Sequence, residues 1–93
     1  PAELAVDQVR AHLAGVPGVV AIHDLHAWTI TSGVPVLSAH VVVSDDVATS
    51  QGYCAVLDRV QECLSGHFDV EHSTLQIEPA SHSREHPEAA THA

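Results

Sequence analysis

The chain has 93 residues, and Asp and Glu outnumber Lys and Arg by 12 to 3, which gives a net charge of −9. This charge repels nucleic-acid phosphates and anionic membrane surfaces, so we expect cations as partners and no nucleic acid. Nine histidines are present, and neutral imidazole is a common ligand of zinc-like metals. The sequence contains no run of about 18 apolar residues, so it predicts no transmembrane helix.

Apolar spacing and turn residues predict five elements in the order α-β-β-α-β. The bounds, in chain order, are a helix over 2–16, strands over 19–31 and 34–43, a helix that begins after Thr49-Ser50 and ends at Gly66, and a strand over 73–78. We expect residues 1–79 to form one metal-binding and dimerisation domain. Residues 80–93 contain His82, His86 and His92 but no large apolar residue, which predicts a disordered tail.

The order of these elements predicts the topology. A right-handed crossover from the second strand through the second helix makes the second and third strands parallel. The first strand is then free to lie between them. The resulting fold class is α+β, a ferredoxin-like open sandwich of the metallochaperone type with both helices on one face of the sheet.

Two histidines and a carboxylate converge in this topology. With a two-residue loop at Ser32-Gly33, His23 lies diagonally across from His40 on the same face, at roughly 7–8 Å. The third strand, antiparallel to the first in this arrangement, brings Glu78 toward His23. We therefore predict a tetrahedral zinc site formed by His23, His40 and Glu78 on the face without helices, with a fourth position open to water or another chain.

Other polar residues near these positions have simpler interpretations. Strict strand alternation places His26 and Trp28 opposite to His23, so we expect them to face the helices as packing residues. Asp24, Asp45 and Asp46 are interpreted as solvated or capping carboxylates. A single strand histidine more often bonds to backbone than to metal, and only the convergence of three ligands favours a site.

The cysteines and one further histidine lie elsewhere. Cys54 and Cys63 are nine residues apart on one predicted helix and point to different faces, so we expect free thiols. Cys54 lies off the apolar stripe and is available to a metal, whereas Cys63 is expected to be a small core residue. His72 is about 20 Å along the third strand from Glu78, which leaves it to act across a dimer.

Three segments closely resemble the cytosolic domain of cation diffusion facilitators: residues 23–33, residues 37–41 and residues 72–78. The resemblance spans residues 2–79. It is greatest to the bacterial cobalt-zinc-cadmium efflux branch, and the segments are also similar to human zinc-transporter domains.

This resemblance implies a regulatory domain of a transporter that exchanges protons for divalent metal and works as a homodimer. Its metal would lie at the dimer interface and tighten it. Transmembrane helices would precede Pro1, and the domain would lie at the cytoplasmic face of the bacterial inner membrane. Zinc is the expected ion, with cobalt or cadmium as alternatives in the same site.

By resemblance, His23 and His40 match the interface histidines of the family, and Glu78 matches its carboxylate ligand. Members with two interface metals often have a further histidine on the second helix and another two positions before the carboxylate. This chain has Cys54 and Gln76 at those positions. The difference argues against a second interface metal unless the Cys54 thiolate substitutes, so Cys54, His72 and Gln76 are only additional candidates.

Two other functional classes fit part of the pattern. A free-standing metallochaperone or metal buffer shares the fold, and transmembrane helices upstream of Pro1 would reject it. A small zinc hydrolase shares the three-ligand pattern but needs a general base and a substrate pocket beside the metal. The short chain and shallow sheet suggest no such pocket, so we do not expect an enzyme.

Overall fold

The computed structural model describes residues 5–30 and 33–84. In chain order the elements are α1 (Val6–Ala14), β1 (Val19–Thr29), β2 (Pro35–Val43), a 3-10 turn (Asp45–Val47), α2 (Ser50–Phe68), β3 (His72–Pro79) and α3 (Ala80–Arg84). This order confirms the α+β fold class with its α-β-β-α-β arrangement. Among the described residues, no helix is long and apolar enough to span a bilayer.

The two long helices pack on one face of the sheet. Burial of the apolar helix stripes forms a single core with the inward-facing strand residues. This core contains Val9 and Leu13 of α1, Ile22 and Leu25 of β1, Leu37, Ala39, Val41 and Val43 of β2, and Val56, Val60 and Leu64 of α2. Removal of this apolar surface from water is the main driving force for assembling the layers.

The opposite side of the sheet, which we call the open face, carries polar and aromatic residues. Strand alternation and the observed register define its members. They are His23, His26 and Trp28 of β1, Ser38 and His40 of β2, and Thr74, Gln76 and Glu78 of β3.

The strand order differs from the expected one. β2 is the central strand, paired with antiparallel β1 on one side and with parallel β3 on the other. The prediction that β1 lies between β2 and β3 is therefore wrong. Consecutive residues Val41, Val42 and Val43 of β2 are all buried, which agrees with a central strand that has a neighbour along each edge. Glu78 pairs with Val42 of β2 and not with β1.

The hairpin loop is one residue longer than predicted. The N–H of Ile30 donates to the carbonyl of Val34 at 3.1 Å, so residues 31–33 connect the two strands. Gly33 adopts a φ of 84°, a left-handed conformation that glycine tolerates without steric cost. This longer loop shifts the register of β1 against β2 by one residue.

A β-bulge at Asp24 shifts the register by one residue more. His26 pairs with Ser38, yet His23 pairs with His40, so β1 carries one residue in excess. Asp24 has a φ of 52°, a conformation that Asp adopts more readily than most residues. The two shifts together keep His23 on its predicted face and place it directly opposite His40.

The ends of α2 follow capping chemistry. The side chain of Thr49 accepts a hydrogen bond from the N–H of Gly52 at 3.0 Å, as the sequence predicts. The helix continues through Gly66 to Phe68, and its C-cap is Asp69, which has a φ of 60°. The predicted end at Gly66 is wrong because Asp69 supplies the left-handed cap instead.

The start of the predicted tail is helical. Residues 80–84 form α3, which packs against β2 and β3. The N–H of Ser81 donates to Oδ1 of Asp45 at 3.1 Å. The expectation of disorder is therefore wrong for residues 80–84, because this segment has a docking contact that its polar composition does not reveal. His86 and His92 lie outside the described residues.

Candidate metal centre

His40 lies between two carboxylates on the open face. Its Nδ1 is 3.7 Å from Oδ2 of Asp24 and 3.3 Å from Oε2 of Glu78. The side chains of Asp24 and Glu78 are only 10% and 11% exposed, whereas that of His40 is 33% exposed. One partly accessible imidazole therefore meets two nearly buried carboxylates.

The sheet register explains why Glu78 reaches His40. Gln76 is the direct neighbour of His40 on β3, and Glu78 follows two residues later on the same face. Nε2 of Gln76 donates to Oε2 of Glu78 at 3.1 Å. Gln76 therefore holds the carboxylate oxygen that lies nearest to the imidazole.

Asp24 reaches His40 because of the bulge. Its Oδ1 is buried and has no hydrogen-bond partner among the described residues. A buried carboxylate oxygen without a donor is costly, because the water it has lost is not replaced. A bound cation beside His40 would supply the missing partner, so these residues fit a metal ion.

The charge balance points the same way. The guanidinium groups of Arg10 and Arg59 donate to the backbone carbonyls of Ile22 and Pro17 at 2.9 and 3.4 Å. In the part of the chain that the structure describes, the ion pairs of Asp24 and Glu78 involve only His40. Two clustered negative charges and one imidazole are suited to a divalent cation of the zinc class.

A cleft gives solvent access to this cluster. It has a volume of about 510 Å³ and is lined by residues of all three strands, including Asp24, His26, His40, Thr74 and Gln76. Because the cleft opens on the side opposite to α1 and α2, an ion or a second chain can approach it without displacing a helix.

The structure brings together part of the predicted three-ligand site. His40 and Glu78 are adjacent, and His23 is the strand partner of His40 with an exposed side chain. The predicted route, in which β3 pairs with β1, is replaced by a route through β2. Over residues 5–30 and 33–84, no three His, Cys, Asp or Glu side chains are already positioned to hold an ion.

The additional candidates are distributed over the domain. Gln76 lies within the cluster as a donor to Glu78. Cys54 is exposed on α2, in the layer on the other side of the sheet, and His72 is exposed at the start of β3 beside Val36. Within one chain, neither Cys54 nor His72 adjoins His40.

The bulge also overturns the predicted orientation of two residues. His26 and Trp28 lie on the open face, where they pair with Ser38 and Val36, and Trp28 is 49% exposed. They were expected to face the helices. Between the loop and the bulge, however, β1 is shifted by one residue from the predicted register, and a shift of one residue moves a side chain to the other face of the sheet.

Sequence reasoning missed Asp24 as a site residue for the same cause. A recognisable signal was present in the spacing of Ile22 and Leu25, two large apolar residues three positions apart. Under strict alternation these two residues cannot both face the core, and a bulge between them resolves the conflict. Both are buried in the structure.

Comparisons with known proteins agree with this architecture. Residues 1–80 match the family model described as "Cation efflux protein, cytoplasmic domain". The cadmium, cobalt and zinc/H(+)-K(+) antiporter of Bacillus subtilis is 34% identical over 85 residues, covering 91% of this chain and 27% of the antiporter. The metal cation efflux system protein CzcD of Cupriavidus metallidurans is 36% identical over 80 residues, covering 86% of this chain and 24% of that protein.

A solved structure, the metal-bound C-terminal domain of the CzcD transporter from Cupriavidus metallidurans, is also similar. It superposes with a TM-score of 0.74 and 35% identity, covering 81% of this chain and 99% of that domain. The chain thus spans about a quarter of the length of the two full-length relatives. These findings confirm the resemblance found in the sequence: the chain belongs to the cation efflux protein family, as a cytoplasmic domain of the CzcD-like type.

Proposed function

We propose that this chain is the regulatory cytoplasmic domain of a divalent-cation efflux antiporter in the bacterial inner membrane. It binds a zinc-like ion on its open face, and the bound ion tightens a homodimer and thereby tunes transport. The transporter's spanning helices precede Pro1. The role is one of binding and regulation and not of catalysis.

One observation carries this proposal most directly. The two nearly buried carboxylates of Asp24 and Glu78 converge on Nδ1 of His40, and within the described part of the chain no donor reaches the buried Oδ1 of Asp24. A divalent cation satisfies this oxygen and balances the two charges together. The names of the relatives, which include cadmium, cobalt and zinc, support an ion of this class.

We assign His40, Glu78 and His23 as metal ligands, as the sequence predicts, and we add Asp24. His40 is already adjacent to both carboxylates, and His23 approaches from the opposite strand position. Zinc is the proposed ion, and cobalt or cadmium would use the same ligands.

The dimer is supported by the exposure of the edge strand and its loop. Trp28 is 49% exposed and Ile30 is 47% exposed, which leaves apolar surface at the end of β1 near the hairpin loop. A second chain that covers this surface would also fill open coordination positions on the ion. Cys54 and His72, which do not adjoin His40 within one chain, are candidate ligands from the partner.

The test is a calorimetric zinc titration of the domain and two variants. His40→Ala is expected to weaken zinc binding at least tenfold, because it removes the central ligand. His26→Ala is the matched control, since His26 is an exposed strand histidine that is not assigned as a ligand. Equal zinc affinity of His40→Ala and the unmodified chain would refute the site.

A metal buffer with the same fold is the competing function. Transport assays on the parent protein in vesicles separate the two functions. If the domain is regulatory, His40→Ala should change the zinc dependence of transport. If the domain is only a metal buffer, His40→Ala should leave transport unchanged.

A further inference from the structure

A second group of metal-binding side chains lies between the ends of α1 and α2, on the helix side of the sheet. The ring centres of His12 and His67 are 5.0 Å apart, and the ring planes are inclined by 39°. Cys63 precedes His67 by four residues on α2. All three residues line one cleft of about 690 Å³, and none of them belongs to the candidate metal centre around His40.

The spacing of the two rings matches that of two ligands on one ion. Two imidazoles bound to a tetrahedral zinc-like ion through bonds of about 2 Å have ring centres about 5 Å apart. Residues four apart on a helix lie on the same face, so Cys63 lies on the face of α2 that carries His67. Thiolate and imidazole together select soft or borderline cations of the zinc class.

The surrounding backbone also favours a cation. His12 lies in the last turn of α1, and His67 lies in the last turn of α2. Each helix C-terminus carries a partial negative charge, so two such ends act together on a cation held between the rings. Two opposite charges line the same cleft, on Glu62 and Arg59. The Arg59 guanidinium donates to the carbonyl of Pro17 at 3.4 Å.

Aromatic packing alone is the competing explanation for the pair of rings. Phe68 meets His12 edge-on at 5.2 Å, so the three rings form a small cluster even without an ion. Within residues 5–30 and 33–84 no trio of donors is already closed around an ion position. Closure here requires the Cys63 side chain to turn toward the rings.

We propose that His12, Cys63 and His67 form a second site for a zinc-like divalent cation, distinct from the centre on the open face. The two imidazoles bind through their unprotonated nitrogens. The thiol of Cys63 binds as thiolate and releases its proton to solvent, and water completes the coordination. In the metal-free protein, burial raises the pKa of the Cys63 thiol, so this proton is present until the cation displaces it.

The test uses cobalt as a spectroscopic probe in the complete 93-residue chain carrying His40→Ala, which disables the first centre. Cobalt bound to thiolate gives a near-ultraviolet charge-transfer band that cobalt bound to imidazole and carboxylate does not give. We expect this band to persist when Cys54→Ser is added and to disappear when Cys63→Ser is added. Absence of the band, or its loss only with Cys54→Ser, would overturn the proposal.

A second variant separates metal binding from ring packing. His12→Phe keeps an aromatic ring against His67 and Phe68 but removes the nitrogen donors. We expect cobalt binding to weaken at least tenfold, with the melting temperature of the metal-free chain preserved. Unchanged cobalt affinity would show that the rings only pack. The tail histidines are present in every variant, so they cannot produce these differences.

Discussion

At the scale of single residues, the position of Asp24 decides the chemistry of the open face. Its left-handed backbone places a carboxylate beside His40 that strict strand alternation would not place there. The sequence predicted His40 and Glu78 as site residues from the expected convergence of the strands, and the structure places them side by side. Asp24 was not identified, because a lone Asp in a chain with 12 acidic residues is usually solvated, and only the bulge distinguishes it.

Asp24→Asn tests this assignment. Asn also tolerates a positive φ, so the fold is retained while the charge is removed. We expect zinc affinity to fall at least tenfold. The melting temperature of the metal-free chain should not fall, because the substitution removes a buried charge that has no donor for its Oδ1 among residues 5–30 and 33–84.

The matched control for that variant is Asp69→Asn. Asp69 also has a positive φ, of 60°, but it caps α2 away from the cluster. Calorimetric titration should show zinc affinity unchanged for this control. If both Asn variants bind zinc equally well, Asp24 is not part of the site.

His26→Ala tests the corrected orientation of His26. Strict strand alternation would place this imidazole against the helices, where truncation would lower the free energy of unfolding. On the open face, where the structure has it exposed, truncation should change the free energy of unfolding by no more than about 0.5 kcal/mol. Urea denaturation of the metal-free chain measures this change. A loss of about 2 kcal/mol or more would show a packed core position.

At the scale of elements, the sequence predicted α1, α2 and the three strands, but it did not predict α3, the strand register or the strand order. Element type follows from apolar period and capping, as at Thr49 of α2, and these are local properties. Register depends on the length of the loop and on the bulge, each of which adds one residue. The strand order depends on which strand has neighbours along both of its edges. No local pattern of residues along the chain gives this information.

Two glycine substitutions test how the hairpin loop is specified. A Cβ at Gly33 or at Gly66 would meet no atom within 4 Å, so only backbone conformation separates the two positions. Gly33→Ala should destabilise by about 1 kcal/mol, because its φ of 84° is unfavourable for Ala. Gly66→Ala, inside α2, should stabilise by about 0.5–1 kcal/mol.

The measurement is the free energy of unfolding of the metal-free chain for both variants. Opposite signs are the expected result. If Gly33→Ala is as stable as the unmodified chain, then the loop does not need its left-handed residue and the register shift assigned to it has another origin.

At the scale of the whole molecule, the single sheet separates two surfaces with different chemistry. The helix side buries the apolar core and ends in the cleft of His12 and His67, while the open face carries the partly exposed His40 and its two nearly buried carboxylates. The sheet is only one layer of a small domain, so its core leaves a narrow margin of stability. Covering the open face with a second copy would bury further apolar surface and bring more donors to the ion.

Zinc should therefore strengthen the homodimer, and this is the prediction that belongs to the assembled molecule. We expect the dimer dissociation constant to fall at least tenfold on adding zinc, equivalent to about 1.4 kcal/mol. Sedimentation at several protein concentrations, with zinc or with a chelator, measures this change. His40→Ala should abolish the zinc effect, whereas His12→Phe should leave it intact, because the cleft between the helices lies on the other side of the sheet. A chain that stays monomeric at high concentration with zinc present, or that dimerises equally in His40→Ala, would show that the ion on the open face does not join two copies.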